Sequence, residues 1–474
     1  MKNRFNRLTS KEWLPFQKSW FRFDNTEKLY RENIRFFISA EPTGSVVSYH
    51  GENPDTLTRI CKEENREVSA WEPGQITPVQ FAIIDLREEI NEATTLTEYE
   101  KIRTHVIDFL RDIYARLEHR RFISILIPNI QQKEKYFPFA WDLAKHIATF
   151  YSLKDEKIAC VDNKQSVSPG KYFSPTQEVF YCLYFRKDEK SAGVYAPPEM
   201  NLLKARKQEK SGITFQNVIP AWFILKPQPR KKNEILHPAK YPEALVEMFI
   251  NEFTKESDNV FDPMSGTGST QVGALKLQRQ GYGTELSDFF ADIANGRCSE
   301  LLIPSQKEMF SEEKSGAFKI LNKDARLITD DDFPPLHYMM TSPPYWDMLN
   351  MKGAENQAKR VKKGLQTNYS ENTHDLGNVA DYQAFLAELV AVYNNIIDHL
   401  EPGSYLTIVV KNIKKKGSNY PFAWDLSNEL QNKLILLPEV FWCQDDISIA
   451  PYGYGNTFVS NTFHQYCLNF QKPF

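Results

Sequence analysis

One six-residue block occurs twice in this chain, and it limits the fold more than any other feature. Pro138-Phe139-Ala140-Trp141-Asp142-Leu143 returns as Pro421-Phe422-Ala423-Trp424-Asp425-Leu426, 283 positions later. Asn129-Ile130 recurs at the same offset as Asn412-Ile413, and YCLYF (181–185) is echoed by YCLNF (466–470). Each block follows an apolar run, ISILIPNI (123–130) or LTIVVKNI (406–413), that reads as a buried strand. Each strand follows a long amphipathic pattern. Self-similarity in matched context marks a duplicated structural unit, so two related halves are expected.

The local patterns give both halves one fold class. VQFAIIDL (79–86) reads as a strand, 97–118 as an amphipathic helix and 121–130 as a strand. Farther on, 240–253 reads as a helix with Pro242 in its first turn, and 259–270 as a strand running into a Gly-rich turn. A helix over 271–281 closed by Gly281, strands at 282–286 and 337–346, a helix at 381–400 and a strand at 405–413 complete the series. Strands alternating with helices predict an α/β fold with a parallel sheet. The boundaries expected are an N-terminal extension without a motif (1–78), a first copy (79–198), a basic connector (199–235) and a second copy (236–474). Between 199 and 240 nine Lys and Arg face three Glu, a strip suited either to solvent or to a phosphate backbone.

Composition excludes several classes. With 474 residues, 41% hydrophobic and 25% charged, the chain is neither disordered nor collagen-like. No apolar run reaches the roughly 18 residues of a membrane helix, and the first residues carry no secretory signal. The six Cys, at 61, 160, 182, 298, 443 and 467, form no CxxC pair. That argues against a disulfide framework or a metal site and predicts a reducing, cytoplasmic setting. A net charge of -3 means that any nucleic-acid surface is local.

Two motifs carry chemistry. FDPMSGTGST places Asp262 at a strand end and Gly266 and Gly268 in the turn that opens the next helix. Such a turn, at the carboxyl edge of a parallel sheet, lets a ligand approach the backbone closely. Glu285 ends the next strand, where an acid commonly holds ribose hydroxyls, and Asp324 follows a third strand. The pattern is neither a P-loop nor GxGxxG. The second motif, TSPPYW (341–346), puts two stiffening prolines and an aromatic directly after a buried strand. His464 and PYGYG (451–455) read as structural.

With these residues in view, roughly 220–474 resembles the S-adenosylmethionine-dependent DNA amino-methyltransferases, whose catalytic motif is [DNS]PP[YFW] and whose cofactor motif is approximately DPFxGxGxT. The resemblance implies a class I methyltransferase sheet, of Rossmann-like type, in the C-terminal half and a degenerate related α/β copy in the N-terminal half. It implies catalytic roles for Ser342, Pro343, Pro344 and Tyr345. The cofactor S-adenosyl-L-methionine would be held by Asp262, Pro263, Met264, Gly266, Gly268, Thr270, Glu285 and Asp324. His237, Pro238 and Tyr241, in HPAKYPEAL, resemble the segment that closes over its methionine end. The SPPY form is that of the cytosine-N4 subgroup, with adenine-N6 methylation of DNA and amino-methylation of an RNA base as alternatives. The resemblance also implies DNA as partner and a restriction-modification setting with a cognate endonuclease. Many members carry the catalytic motif before the cofactor motif, whereas here the order is reversed. Lys352, Lys359, Arg360, Lys362 and Lys363, in a long loop after the motif, suit phosphate contact, and Trp346 would extend the stacking surface of Tyr345. Aligning the PFAWDL blocks sets IIDLREE (83–89) opposite TSPPYWD (341–347), so Asp85-Leu86-Arg87 stands where the second copy has Pro-Pro-Tyr. The first copy is therefore expected to be inactive, to pack on the second as an intrachain pseudo-dimer, and to supply part of the DNA-recognition surface.

Overall fold

The repeated blocks sit at matching places in two sheets built on one plan. The computed structural model describes residues 2–41, 44–70, 76–163, 168–188, 205–226, 241–303, 316–344, 346, 376–415, 417–445, 449 and 458–474. The first sheet is made of β1 (Trp20–Phe23), β2 (Val46–His50), β3 (Glu67–Ala70), β4 (Val79–Asp85), β5 (Leu117–Ile127), β8 (Ser152–Val161) and β9 (Glu178–Arg186). Its order is β1-β8-β9-β5-β4-β2-β3. The second holds β10 (Trp222–Ile224), β11 (Asn259–Asp262), β12 (Gln280–Glu285), β13 (Phe318–Asn322), β14 (Leu336–Thr341), β15 (Leu400–Val410), β19 (Val440–Cys443) and β20 (His464–Gln471). Its order is β10-β19-β20-β15-β14-β11-β12-β13, with β18 (Ile435–Leu436) also paired to β20. Taken in sheet order, the first seven strands of each agree in every parallel or antiparallel step. The second half adds β13 at the edge.

Two boundaries differ from the sequence expectation. Three strands of the first sheet lie within 1–78, so that stretch is part of the first half's sheet and not an extension beside it. Within the expected connector, Trp222–Ile224 forms β10, and Phe215 and Ile219 are fully buried. Period and composition hid both, because these strands are only three to five residues long.

The repeated residues form one network. Helices α5 (Phe139–Ile147) and α10 (Phe422–Leu430) begin directly after Pro138 and Pro421. Asn129 Oδ1 accepts from Ala140 N at 2.9 Å and Asn412 Oδ1 from Ala423 N at 2.8 Å, which satisfies a first-turn donor in each helix. Trp141 Nε1 donates to Tyr181 Oη (2.9 Å) and Trp424 Nε1 to Tyr466 Oη (3.1 Å). The two indoles stack at 6.3 Å between centroids, 15° apart, inside an apolar core shared by both halves.

Across that stack the halves exchange matching contacts, with one extra donor, Tyr136, on the side of Glu439. Glu439 accepts from Asn129 (2.9 Å), Tyr181 (2.6 Å) and Tyr136 of the first half. Glu156 accepts from Asn412 (2.8 Å) and Tyr466 (2.8 Å) of the second. Trp20 Nε1 reaches the Gln444 carbonyl (3.0 Å), and Trp222 Nε1 reaches that of Val161 (3.2 Å). Residue i meeting j while j's counterpart meets i's is the signature of a two-fold, isologous interface. The intrachain pseudo-dimer expected from the repeat is thus present in the packing. His464 is buried at this junction, Nδ1 2.8 Å from Ser19 Oγ, in the structural place expected of it.

Candidate active site

Four adjacent parallel strands, in the order β14-β11-β12-β13, end on one edge of the second sheet. Their ends carry Ser342, Asp262, Glu285 and Asp324. The sheet thereby brings together four residues far apart in sequence, at the edge where α/β proteins bind ligands.

Asp262 is 1% exposed. Its carboxylate accepts from Met264 N (3.0 Å), Tyr241 Oη (3.0 Å) and Thr270 Oγ1 (2.8 Å). Burial pushes its carboxyl above the usual range, and these hydrogen bonds oppose that shift. Asp262 therefore shapes the turn from within, and Tyr241 packs onto it from the segment before α6 (Glu243–Phe253). Thr270 also reaches the Met340 carbonyl (3.2 Å), which ties the turn to the strand that carries Ser342.

The turn itself is left-handed at Gly266 (φ 52) and Gly268 (φ 77). Gly268 caps helix α7 (Ser269–Lys276) and lies against α8 (Asp288–Leu302); a Cβ on it would be 2.9 Å from that of Ala294. Ser265 within the turn and two residues outside both motifs, Gln271 and Arg297, hold it. Ser265 donates from N to the Thr284 carbonyl (2.9 Å), Gln271 Nε2 reaches Ser265 Oγ (2.8 Å), and Arg297 bonds the Thr267 carbonyl and Glu243. Only Ser265, inside the glycine turn, carried a sequence signal. Glu285 is half-buried and accepts from Gly266 N (2.7 Å) and Ser287 N (2.9 Å), so its carboxylate is fixed against the turn. Asp324 accepts from Arg326 N (2.9 Å) and from its guanidinium (2.6 Å). The helix expected to close at Gly281 stops at Lys276; Gln278 takes the left-handed conformation (φ 61), and Gly281 lies in β12.

Ser342 and Pro344 are half-buried after β14, and Pro343 is buried. Trp346 is 4% exposed and does not extend a stacking surface. Its indole N donates to the Ala380 carbonyl (3.2 Å), and its ring packs on Tyr382 (5.3 Å) and Tyr420 (5.0 Å) under the Lys415 ammonium (3.7 Å). An indole with a buried partner for its N–H anchors the loop. Lys415 and Tyr420 belong to the hairpin β16 (Ile413–Lys415) and β17 (Ser418–Tyr420). His237, Pro238, Tyr345, Lys352, Lys359, Arg360, Lys362, Lys363 and PYGYG lie outside the described residues.

Among the described residues the first half shows no such site. Ile84 pairs with Ile125 as Thr341 pairs with Ile408, so Asp85 stands opposite Ser342, one place from where the ungapped alignment set it. Asp85 is closed off by Arg87 Nε (2.8 Å) and Nη2 (2.6 Å) and by Tyr30 Oη (2.6 Å). A Cβ on Gly51, in the counterpart turn, would lie 2.8 Å from the Asp85 carbonyl, so the two backbone segments pass close together there. All six cysteines are buried and unpaired. Among the described residues no cluster of His, Cys, Asp or Glu is placed to hold a metal, and no helix is long and apolar enough to cross a membrane.

The N6/N4 family model described as DNA methylase matches residues 59–296, half of the chain. The chain belongs to this DNA methylase family. The matched span holds Asp85 and the cofactor-type turn and ends before Ser342. Orphan methyltransferase M.BamHII of Bacillus amyloliquefaciens is 43% identical over 67 residues, 14% of this chain and 25% of that protein. Type II methyltransferase M.MthZI of Methanothermobacter thermautotrophicus is 27% identical over 192 residues, 35% of this chain and 52% of that protein. The chain spans between 10% and 52% of the length of such curated relatives. A putative rRNA-methylase structure from Clostridium thermocellum is 15% identical, with a TM-score of 0.30, over 50% of this chain and 100% of that one.

Proposed function

We propose that this DNA methylase transfers a methyl group from S-adenosyl-L-methionine to the exocyclic N4 of a cytosine turned out of duplex DNA. The observation that carries the reading is the placement of Ser342-Pro343-Pro344 at the end of β14, the neighbour of β11 and its glycine turn. The residues present fit the cofactor. Glycines keep the backbone of the turn bare, and Glu285 offers a fixed carboxylate where ribose hydroxyls would be accepted. Asp324 stands at the end of the following strand, where a purine would lie. When bound, S-adenosylmethionine supplies an electrophilic methyl group.

The chain's own residues supply orientation. An exocyclic amine is a poor nucleophile because its lone pair is delocalised into the ring. Ser342 Oγ and the Pro343 carbonyl would each accept one of its N–H bonds and aim the lone pair out of the ring plane. Preplaced acceptors also meet the charge that develops on nitrogen. Tyr345 would stack on the base and offset the cost of unstacking it. With Asp85 engaged by Arg87 and Tyr30 where the second half has Ser342, the first half would be inactive, and its surface, with Lys352, Lys359, Arg360, Lys362 and Lys363, would serve DNA recognition. A cytoplasmic restriction-modification role with a cognate endonuclease is the setting proposed. Adenine-N6 is the second reading, because the family includes both targets and Ser342 accepts either amine. Methyl-labelled cofactor with duplex DNA, single-stranded DNA and tRNA as acceptors tests the proposal. Label in duplex DNA supports it, and label in tRNA alone refutes it.

A further inference from the structure

Bonds across the pseudo-dyad fix how the two sheets lie. Trp20, the first residue of β1, bonds Gln444, just past the end of β19, and Trp222, the first residue of β10, bonds Val161, the last of β8. β1 runs parallel to β8, and β10 to β19. The amino end of each sheet therefore abuts the carboxyl end of the other, and the two carboxyl edges face opposite ways. Each edge bears a cleft, and the two clefts differ in charge. On the first half's edge a cavity of about 480 Å3, bordered by the hairpin β6 (Ile130–Gln132) and β7 (Lys135–Phe137), is lined by Glu92, Glu178 and Glu439. Its one lining cation among the described residues, Arg87, is already bonded to Asp85. On the second half's edge a cleft of about 760 Å3 opens where β10 ends at Ile224 and the chain leaves β19 through Asp445. Its other wall comes from the first half, with Lys11, Lys18 and Arg22 around Trp20.

This second cleft is short of acids. Among the described residues no carboxylate pairs with Lys11 or Lys18, and the Lys18 ammonium stands over the Trp20 ring (5.6 Å). Arg22 meets Asp162 at 3.6 Å with both side chains more than half exposed, a pairing that water and salt weaken. Asp445, the one acid among the described lining residues, is matched by Lys226 (3.3 Å). Like charges gathered in this way repel one another, and a polyanion relieves that repulsion. The cations do not sit on a free arm. Asn461 N donates to the Gln17 carbonyl (2.9 Å), Phe463 N to Ser19 Oγ (2.7 Å), and Lys18 bridges Asn461 through the backbone, so the segment is fastened to the second half.

The cleft also opens on the edge that carries Ser342, because β10, β19, β15, β14 and β11 all run the same way. Four strand spacings separate β14 from β10, about 19 Å at ~4.8 Å each. Each strand of a duplex carries a phosphate about every 3.4 Å, so backbone lying along this edge reaches the cleft within about six nucleotides of the target. We infer that Lys11, Lys18 and Arg22, from the inactive half, grip the phosphate backbone of the duplex whose base the active half methylates. This rests on the DNA-methylation reading above and assigns the inactive half's part in it to positioning the duplex, since phosphate contacts carry no sequence information directly. The acid-rich cleft on the opposite edge would repel the same backbone, so only one face of the molecule takes DNA.

Lys11→Gln, Lys18→Gln and Arg22→Gln, combined in the full chain, remove three charges and little packing, since Lys11 and Arg22 are exposed and Lys18 is half-buried. Fluorescence anisotropy with a random-sequence duplex of about 30 base pairs, roughly three turns, reads affinity against salt. Affinity should fall by at least about 10-fold near ~0.15 M salt, and the slope of log K against log salt should become shallower by roughly 2–3. S-adenosylmethionine affinity and the thermal midpoint should match those of the unmodified chain. A charge-keeping set, Lys11→Arg, Lys18→Arg and Arg22→Lys, should retain both the affinity for DNA and the slope. Unchanged affinity and slope in the neutral variant would overturn the inference. Weaker binding with an unchanged slope would overturn it too, as would equal weakening in the charge-keeping set. An unmodified chain that binds cofactor yet neither binds nor methylates duplex DNA would instead refute the broader reading, and this one with it.

Discussion

Gly268→Ala tests how the glycine turn is held. Gly268 sits at φ 77, ψ 31, and an alanine there costs about 1–2 kcal/mol in backbone strain. The added Cβ would lie 2.9 Å from Ala294 Cβ and 3.1 Å from its Cα. Neither atom can rotate away, and overpacking of this kind costs about 1–3 kcal/mol. Together the two effects amount to roughly 2–5 kcal/mol. Because Asp262, Thr270 and Gln271 anchor the turn on its other side, relief requires the Gly266–Gly268 backbone to leave α8. Chemical denaturation should show the destabilisation, and titration calorimetry should show S-adenosylmethionine affinity lowered by at least about 10-fold. Ala294→Gly in the same chain should restore the contact part, about 1–3 kcal/mol, and leave the backbone strain. A Gly268→Ala chain as stable as the unmodified one, with equal cofactor affinity, would refute this packing. A strictly additive double-mutant cycle would show that Ala294 is not the contact.

Ser342→Ala and Tyr345→Ala should lower turnover far more than cofactor affinity; unchanged turnover at saturation would remove their assigned roles. Glu439→Ala should destabilise the chain, read by denaturation, because Asn129, Tyr136 and Tyr181 would lose a buried acceptor at about 1–3 kcal/mol each. Lys157 is buried, and desolvation pushes its amine down to about 8. The unfolded chain, with an ordinary value near ~10.4, then binds more protons between those pH values, so stability should rise across that window by up to roughly 3 kcal/mol. Below about pH 8 the charged-state penalty is fully present and no longer changes with pH. Lys157→Met should abolish that pH-dependent increment, and an unchanged increment would show that another group causes it.

How much of this was legible in the sequence depended on which residues carry a network and which only fill a strand. The PFAWDL, Asn-Ile and YCL repeats are visible because their side chains cap a helix, stack across the dyad and bond each other, so they tolerate little change. Strands β1 and β2 share almost nothing with β10 and β11 beyond Trp20-Phe21 and Trp222-Phe223, because a buried strand needs only apolar side chains of suitable size. The offset of Asp85 by one residue arose because loop lengths differ between halves and only sheet pairing sets the register. The glycine turn was read correctly as a turn, yet its supports, Gln271 and Arg297, lie on helices and look like ordinary helix residues. Trp346 misled because an aromatic beside a catalytic motif can face the substrate or the core, and only its indole partner decides.

Nucleoside mass spectrometry of DNA treated with the full chain and S-adenosylmethionine tests the central claim most directly. The account predicts N4-methylcytosine in that DNA and none when Ser342 is replaced by alanine. N6-methyladenine as the sole product would contradict the cytosine assignment, and DNA without any methylated base, from a chain shown to bind the cofactor, would contradict the account itself.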